Sequence, residues 1–340
     1  MSTANPLQWH PGMAGAAQSQ PMAGIGPRCN VEVLLIHDGL IAAESLNITR
    51  NWLASLSAPS GRPTQPHVCC LTSRAAIEQL DRVQAADQIW LFGQSSEHPA
   101  ANAALTRAIE ARMNAGAGVF ATGDHDSLGW ALCGDIARVR QLRRWRNEQA
   151  NPTRDNAPQH GPGSIDTLHP LPGDQRADRR NRGNEEDIQF KPVFVDPENP
   201  AAWPIMRLEP ASTIAWLPDH PHEGSLLPVE APMTDFAGID PDCIQTVAWA
   251  MAWQSPRQGH RFGDPRAVPI VRTYDPPASL GHGRIVVDST FHHWLDLNLY
   301  DMSQLPAGPQ REPFRHWQAY AANIYEFLLP GRFRPMGASC

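Results

Sequence analysis

The sequence predicts an α/β chain built on a doubly wound, mostly parallel sheet with long loop insertions. Three observations carry this. Apolar runs recur at Val31–Ile36, His67–Leu71, Gln88–Phe92 and in Ala117-Gly118-Val119-Phe120-Ala121, each bounded by turn-forming residues, as strands buried on both faces are. Segments of helical period separate them with short connections, and such alternation specifies parallel strands joined by right-handed crossovers. Near the end, Arg311–Leu329 carries Phe314, Trp317, Ala321, Ile324 and Leu328 on one face, a helix that should pack on the sheet.

In chain order, residues 1–28 are rich in Ala, Gly, Pro, Gln and Met without periodicity, and read as a disordered tail. The Val31–Ile36 strand closes on His37-Asp38-Gly39. Glu44–Leu56 follows as a helix with Leu46, Trp52, Leu53 and Leu56 apolar. After the loop Ser57–Pro66 comes the second strand, then a helix to about Val83 capped by Thr72 or Ser73. The third strand ends at Gly93. Ala100–Asn114 is a helix with Leu105, Ile109 and Met113 at four-residue spacing, stopped by Gly116. The fourth strand ends in Thr122-Gly123-Asp124-His125-Asp126-Ser127, where Asp124, Asp126 or Ser127 could cap a helix from Leu128 to Cys133.

The alternation then breaks. Ile136–Trp145 is basic, with Arg138, Arg140, Arg143 and Arg144, and Arg146 just beyond; such a run is most simply a solvated helix face, and otherwise an anion site. An insertion, 147–187, is rich in Pro, Gly, Asn, Asp and Arg and reads as a lid or a disordered loop. Phe190–Val195, Ser212–Leu217 and Thr246–Trp253 are strand-like. Val268–Thr273 and Arg284–Ser289 flank the turn Gly281-His282-Gly283 and suggest a β-hairpin with a longer loop. Residues 29–330 thus form a single domain, with 331–340 as a tail.

Composition narrows the function classes. A net charge of −7 argues against nucleic acid or an anionic membrane as partner. There is no apolar run of about 18 residues and no basic-then-apolar leader pattern. The six cysteines include no C-x-x-C pair, which fits reduced thiols in a cytoplasmic protein. A small-molecule ligand is the expected partner, alongside a protein partner or a second copy of the chain.

Chemistry-bearing residues cluster at strand ends. In open α/β sheets ligands sit outside the carboxyl ends of strands. Asp124-His125-Asp126 follows the fourth strand, His292-His293 and Asp296 follow the last, and His37-Asp38 follows the first. A His with a carboxylate neighbour is suited to acid–base work near neutral pH. His125 and His292 with a carboxylate could instead hold a divalent metal. The loop His220-Pro221-His222-Glu223-Gly224 offers three further potential ligands, at a spacing that matches no helix-borne zinc motif.

Two of these phrases resemble class I glutamine amidotransferase domains, a flavodoxin-like fold. Those domains place their nucleophile as G-x-C on a strand-to-helix elbow and their catalytic His in a late phrase like Q-F-H-P-E. Here the elbow reads Gly123-Asp124-His125 and the late phrase Thr290-Phe291-His292-His293-Trp294. Gly93 stands where those domains form an oxyanion site with backbone amides. The elbow Cys is His125 and the triad Glu is Trp294, so Cys-dependent glutaminase chemistry is not available there. The chain is more similar to the trehalose-utilisation (ThuA-like) family, whose members carry G-x-H at the elbow, an H-P-x-x-x-G-like phrase and a late G-x-G-R strand ending near a His. The matching residues are Gly123-Asp124-His125, His220-Pro221-His222-Glu223-Gly224, and Gly281-His282-Gly283-Arg284 leading to His292. The resemblance spans roughly residues 30–330. It implies either of two functions. One is a small-molecule hydrolase or isomerase, on a carbohydrate-like substrate, with His125, His292 and Asp124 catalytic and Gly93, Asp126, His293 and His37 around the substrate. The other is a non-catalytic binding or scaffold protein that has lost the Cys-His-Glu triad.

Overall fold

The computed structural model describes residues 29–56, 64–95, 103–123, 129–143, 189–196, 199, 202–209, 212–219, 226, 239–252, 266–289, 291–296, 299, 303, 308 and 311–333. The 1–28 tail, the 147–187 insertion and the His220-to-Gly224 loop read from the sequence lie outside these residues.

Strands β1 (Cys29–His37), β2 (Thr64–Thr72), β3 (Gln88–Gly93) and β4 (Gly118–Gly123) pair in parallel in the order β2-β1-β3-β4, as their alternation with helices predicts. The late strand β11 (Ile285–Asp288) joins β4 in parallel. Beyond it β10 (Arg266–Tyr274), β9 (Ile244–Ala252), β5 (Gln189–Phe194) and β8 (Trp216–Asp219) add on antiparallel. The result is one nine-stranded, mixed sheet in the order β2-β1-β3-β4-β11-β10-β9-β5-β8. The hairpin expected around Gly281 is the β10–β11 pair, with Tyr274 opposite Ile285. A separate ribbon pairs β6 (Arg207–Glu209) with β7 (Ser212–Thr213). Ser212–Leu217 is therefore not one strand: it is split between β7 and β8, with Ile214 buried at the break.

The period of two along each central strand divides the core. Val33, Leu35, Trp90, Phe92, Phe120 and Val286 face one side, packed with α1 (Asn47–Ser55), α7 (Trp203–Met206) and α8 (Glu312–Phe327). Their neighbours Leu34, Ile36, Ile89, Leu91, Val119, Ala121 and Val287 face the other, under α3 (Leu80–Ala85), α4 (Ala103–Asn114), α5 (Trp130–Cys133) and α6 (Ala137–Arg143). A one-residue register slip would exchange the two sets, so the two-sided core fixes the pairing. All five residues read as the apolar face of the last helix are buried. The helix expected from Ser73 to Val83 breaks at Gln79, whose backbone (φ −127°, ψ 49°) leaves α2 (Ser73–Glu78) as a separate turn. Thr72 caps α2 as expected, accepting the Ala75 N–H at 3.0 Å.

Candidate functional site

The strand order creates a switch point. The chain leaves β1 toward β2 on one side and returns to β3 on the other, so the carboxyl ends of β1 and β3 diverge into a crevice, the usual ligand position in such sheets. Asp38, directly after β1, spans it. Its Oδ2 accepts the backbone N–H groups of Gln94 and Ser95, just beyond β3, while Oδ1 accepts from Leu40 N–H at 3.1 Å. The amides that follow Gly93, the expected oxyanion donors, are thus already bonded to a carboxylate of the same chain. Gly93 itself is required by close approach: a Cβ there would lie 2.5 Å from the Cα of Gly129. Gly129, in a left-handed conformation (φ 93°), is also the residue that opens α5, in place of the expected Asp or Ser cap. Its N–H and that of Ala131 donate to the Ser95 carbonyl at 3.1 and 3.2 Å.

His37 is buried at 2% exposure, and its Nδ1 accepts the Gly39 N–H at 3.3 Å. Burial lowers its pKa, opposed by the neighbouring Asp38 carboxylate, so the ring is neutral at pH 7. The thiol of Cys133 is fully buried, and burial pushes its pKa far above the thiol range despite nearby Arg143; it is no nucleophile.

The second half of the edge is the adjacent end of β4 and β11. After β11 the chain turns through a 3-10 segment, Phe291–Trp294, which carries His292 and His293 between two fully buried aromatics. Trp294 Nε1 donates to the buried Asp288 carboxylate at 3.2 Å, and Tyr320 Oη donates to the same oxygen at 3.2 Å. Thr49 Oγ1 donates to the Trp294 carbonyl at 2.8 Å. The backbone of the His-bearing turn is therefore pinned to β11, α1 and α8. Trp294 also packs edge-on against Trp90, Phe92 and Phe120, with centroids 5.6, 6.2 and 4.8 Å away. The residue that replaces the triad Glu is a core residue here. Asp296, which sequence proximity placed near the cleft, caps α1 from outside, accepting the Ile48 N–H at 2.7 Å. Burial raises its pKa, and the Ile48 and Asn47 amides and Arg50 oppose the rise.

Two features escaped sequence reasoning. The hydroxyls of Thr122 and Ser289, at this edge of β4 and β11, are buried with no hydrogen-bond partner among the described residues. The basic segment is not a solvated face where it is described: Arg138 and Arg143 are buried. Arg143 donates to the carbonyl of Gly123, the last residue of β4, and Arg140 to the Gly134 carbonyl at 3.2 Å. Guanidinium groups can be buried when they satisfy carbonyls that a strand or helix end leaves free, which a one-dimensional charge pattern does not reveal.

Asp124, His125 and Asp126 lie outside the described residues, as do the side chains of His292 and His293. The metal candidates His125 and His292 are among these. Among the described residues, no three His, Cys, Asp or Glu side chains are grouped to hold a metal ion, and no helix is long and apolar enough to cross a membrane.

No family model matches the chain, and no curated protein matches it in sequence. Solved structures do match in chain path. A protein named putative ThuA-like, from Bacteroides uniformis, aligns at 11% identity and a TM-score of 0.42, covering 91% of this chain and 95% of that one. Two named as cytoplasmic proteins, from Salmonella typhimurium LT2 and Salmonella typhimurium, align at 10% and 11% identity with TM-scores of 0.41 and 0.42, each covering 88% of this chain and 100% of the other.

Proposed function

We propose that the carboxyl edge of β1, β3, β4 and β11 binds a small polar molecule, and that the protein is a hydrolase or isomerase with His125 and His292 as its acid–base pair. The observation that carries this is that β4 and β11 are adjacent and parallel. Neighbouring strands lie about 4.8 Å apart. His125 is two residues past the end of β4, a reach of at most about 7 Å, and the His292 turn starts just past β11. Both histidines thus issue from one stretch of edge. Asp124 is the natural orienting group. Gly93, Asp126, His293 and His37 would surround the substrate, with the Thr122 hydroxyl, which has no partner among the described residues, available as a donor. A carbohydrate-like substrate, rich in hydroxyls, suits such a polar rim.

A second reading is favoured by Asp38. Its carboxylate occupies the amides that would stabilise an oxyanion, and Trp294 has gone into the core. Both fit a binding protein that has given up acyl-transfer chemistry. A screen of sugars and sugar acids by thermal shift, with turnover followed by NMR, separates the two. The enzyme reading expects a stabilising ligand that is converted by the wild type and not by His125→Ala or His292→Ala. Binding without conversion selects the second reading. A ligand that binds both variants as well as the wild type rules out this edge as the site.

A further inference from the structure

A second polar cluster lies at the opposite, amino edge of the sheet. Helix α6 runs antiparallel along β10. Its Leu142 carbonyl accepts from Arg272 Nη1 at 2.5 Å. Going back four residues along α6, about 6 Å, reaches Arg138. Going on two residues along β10, about 7 Å, reaches Tyr274. The two contacts match in step, so Arg138 lies over Tyr274, with its helical neighbour Gln141 on the same face. Tyr274 pairs with Ile285, so His282, in the connection just before β11, joins the group. Arg138 acts electrostatically on both Tyr274 and His282.

The cluster is short of partners. Arg138 (7% exposed), Gln141 (8%) and Tyr274 (0%) are all more than nine-tenths buried. Arg138 Nη2 donates to Asn114 Oδ1, but Nη1 is buried with no acceptor among the described residues. The same holds for both ends of the Gln141 amide and for His282 Nδ1, and the Tyr274 oxygen, which faces the Asp240 backbone N–H, has no acceptor for its own O–H among the described residues. Two carboxylates act on the group: Glu110, on Arg138, accepts from the Ala137 N–H at 3.3 Å, and Asp240, on Tyr274, accepts from the Asp242 N–H at 3.1 Å. Arg284, whose guanidinium lies over Phe327 on the other face of the sheet, is matched by Asp275, with Nε to Oδ1 at 2.5 Å. Buried polar atoms are nearly always hydrogen-bonded, and a buried cation is nearly always paired.

We propose that Arg138, Gln141, Tyr274 and His282 form an enclosed site for a small oxyanion, carboxylate or phosphate in type, separate from the carboxyl-edge site. One anion supplies what the group lacks: a negative charge for Arg138 and acceptor oxygens for the Nη1–H, the phenol and the Gln141 N–H. His282 Nδ1 can turn either tautomer toward it. The fixed fork of the guanidinium favours an anion with two oxygens side by side.

The test is titration of the full chain with acetate and with inorganic phosphate by calorimetry, against chloride at equal ionic strength. Saturable binding of either anion is expected. Arg138→Gln should abolish it, and Tyr274→Phe, which removes one O–H and keeps the ring, should weaken it about fivefold to tenfold. Circular dichroism checks that each variant is folded; if Arg138→Gln does not fold, Tyr274→Phe and Gln141→Leu decide. No saturable binding, or affinity unchanged in the folded variants, overturns the site and leaves enclosed water as the partner of these atoms.

Discussion

Replacing Phe120 by Ala tests whether the aromatic cluster beneath the carboxyl edge is what holds β4 and β11 side by side. Phe120 is fully buried, with ring centroids 4.8 Å from Trp90, 5.9 Å from Phe92 and 4.8 Å from Trp294. Truncating a buried Phe costs about 3–5 kcal/mol, depending on how far the site collapses. Collapse is restricted here. Trp90 Nε1 is tied to Gln88 Oε1 at 3.1 Å, and Trp294 Nε1 to Asp288. The cavity therefore stays open, and the expected cost lies in the upper half of that range, about 4–5 kcal/mol. For a domain this large each kcal/mol lowers Tm by about 2 °C, so a fall of roughly 8–10 °C is expected. Urea unfolding followed by tryptophan fluorescence reads the loss directly, since Trp90 and Trp294 flank the cavity. A loss below about 1 kcal/mol at unchanged m-value would refute the reasoning, because it would mean that the neighbours close the gap without cost.

Three further outcomes are expected. Gly93→Ala should disrupt the packing of β3 against Gly129, because both atoms that meet are fixed by backbone; a cost of about 1–3 kcal/mol and weakened carboxyl-edge binding are expected, read by thermal unfolding and ligand titration. Asp296→Ala removes the external cap of α1 and should cost about 1–2 kcal/mol in denaturant unfolding. His316 is 4% exposed, its Nδ1 accepts the Ala215 N–H at 2.9 Å, and burial lowers its pKa below 6.5, with Glu312 opposing and Arg315 adding to the shift. The unfolded chain then binds more protons than the folded one just below pH 6.5, so the His316 contribution is complete above that pH and declines as pH falls through 6.5 toward the lower folded value. His316→Asn, which keeps an acceptor, should flatten the stability profile between pH 7 and 5; an unchanged slope would show that His316 is not its source.

The fold was legible where apolar pattern and turn chemistry agree. Val31–Ile36 and Gln88–Phe92 are continuous apolar runs because both faces of a central strand are covered, and both proved to be parallel strands. The last helix was legible from its spacing. What sequence could not show was set by contacts distant along the chain. Arg138 and Arg143 read as surface charge until helix α6 is laid over β10 and their acceptors, Asn114 and the Gly123 carbonyl, come into reach. The role of Asp296 as the cap of α1 was not legible, because α1 lies 248 positions away in sequence and adjacent in space. Asp38 closes the crevice between β1 and β3 across 56 positions to Gln94, a bond invisible to any local window. Thr72, whose cap partner is three residues away, was read correctly for the same reason in reverse.

The proposed function requires the turns after β4 and β11 to form one site. A double-mutant cycle tests it most directly: the affinity of a ligand bound by the wild type is measured again for His125→Ala, His292→Ala and the double variant. Residues that share a ligand couple, with interaction energies of about 0.5–3 kcal/mol, whereas distant independent ones add. Each single substitution is expected to weaken binding, and the double variant to be little worse than the more damaging single one. Strict additivity, or a loss confined to one histidine, would contradict it.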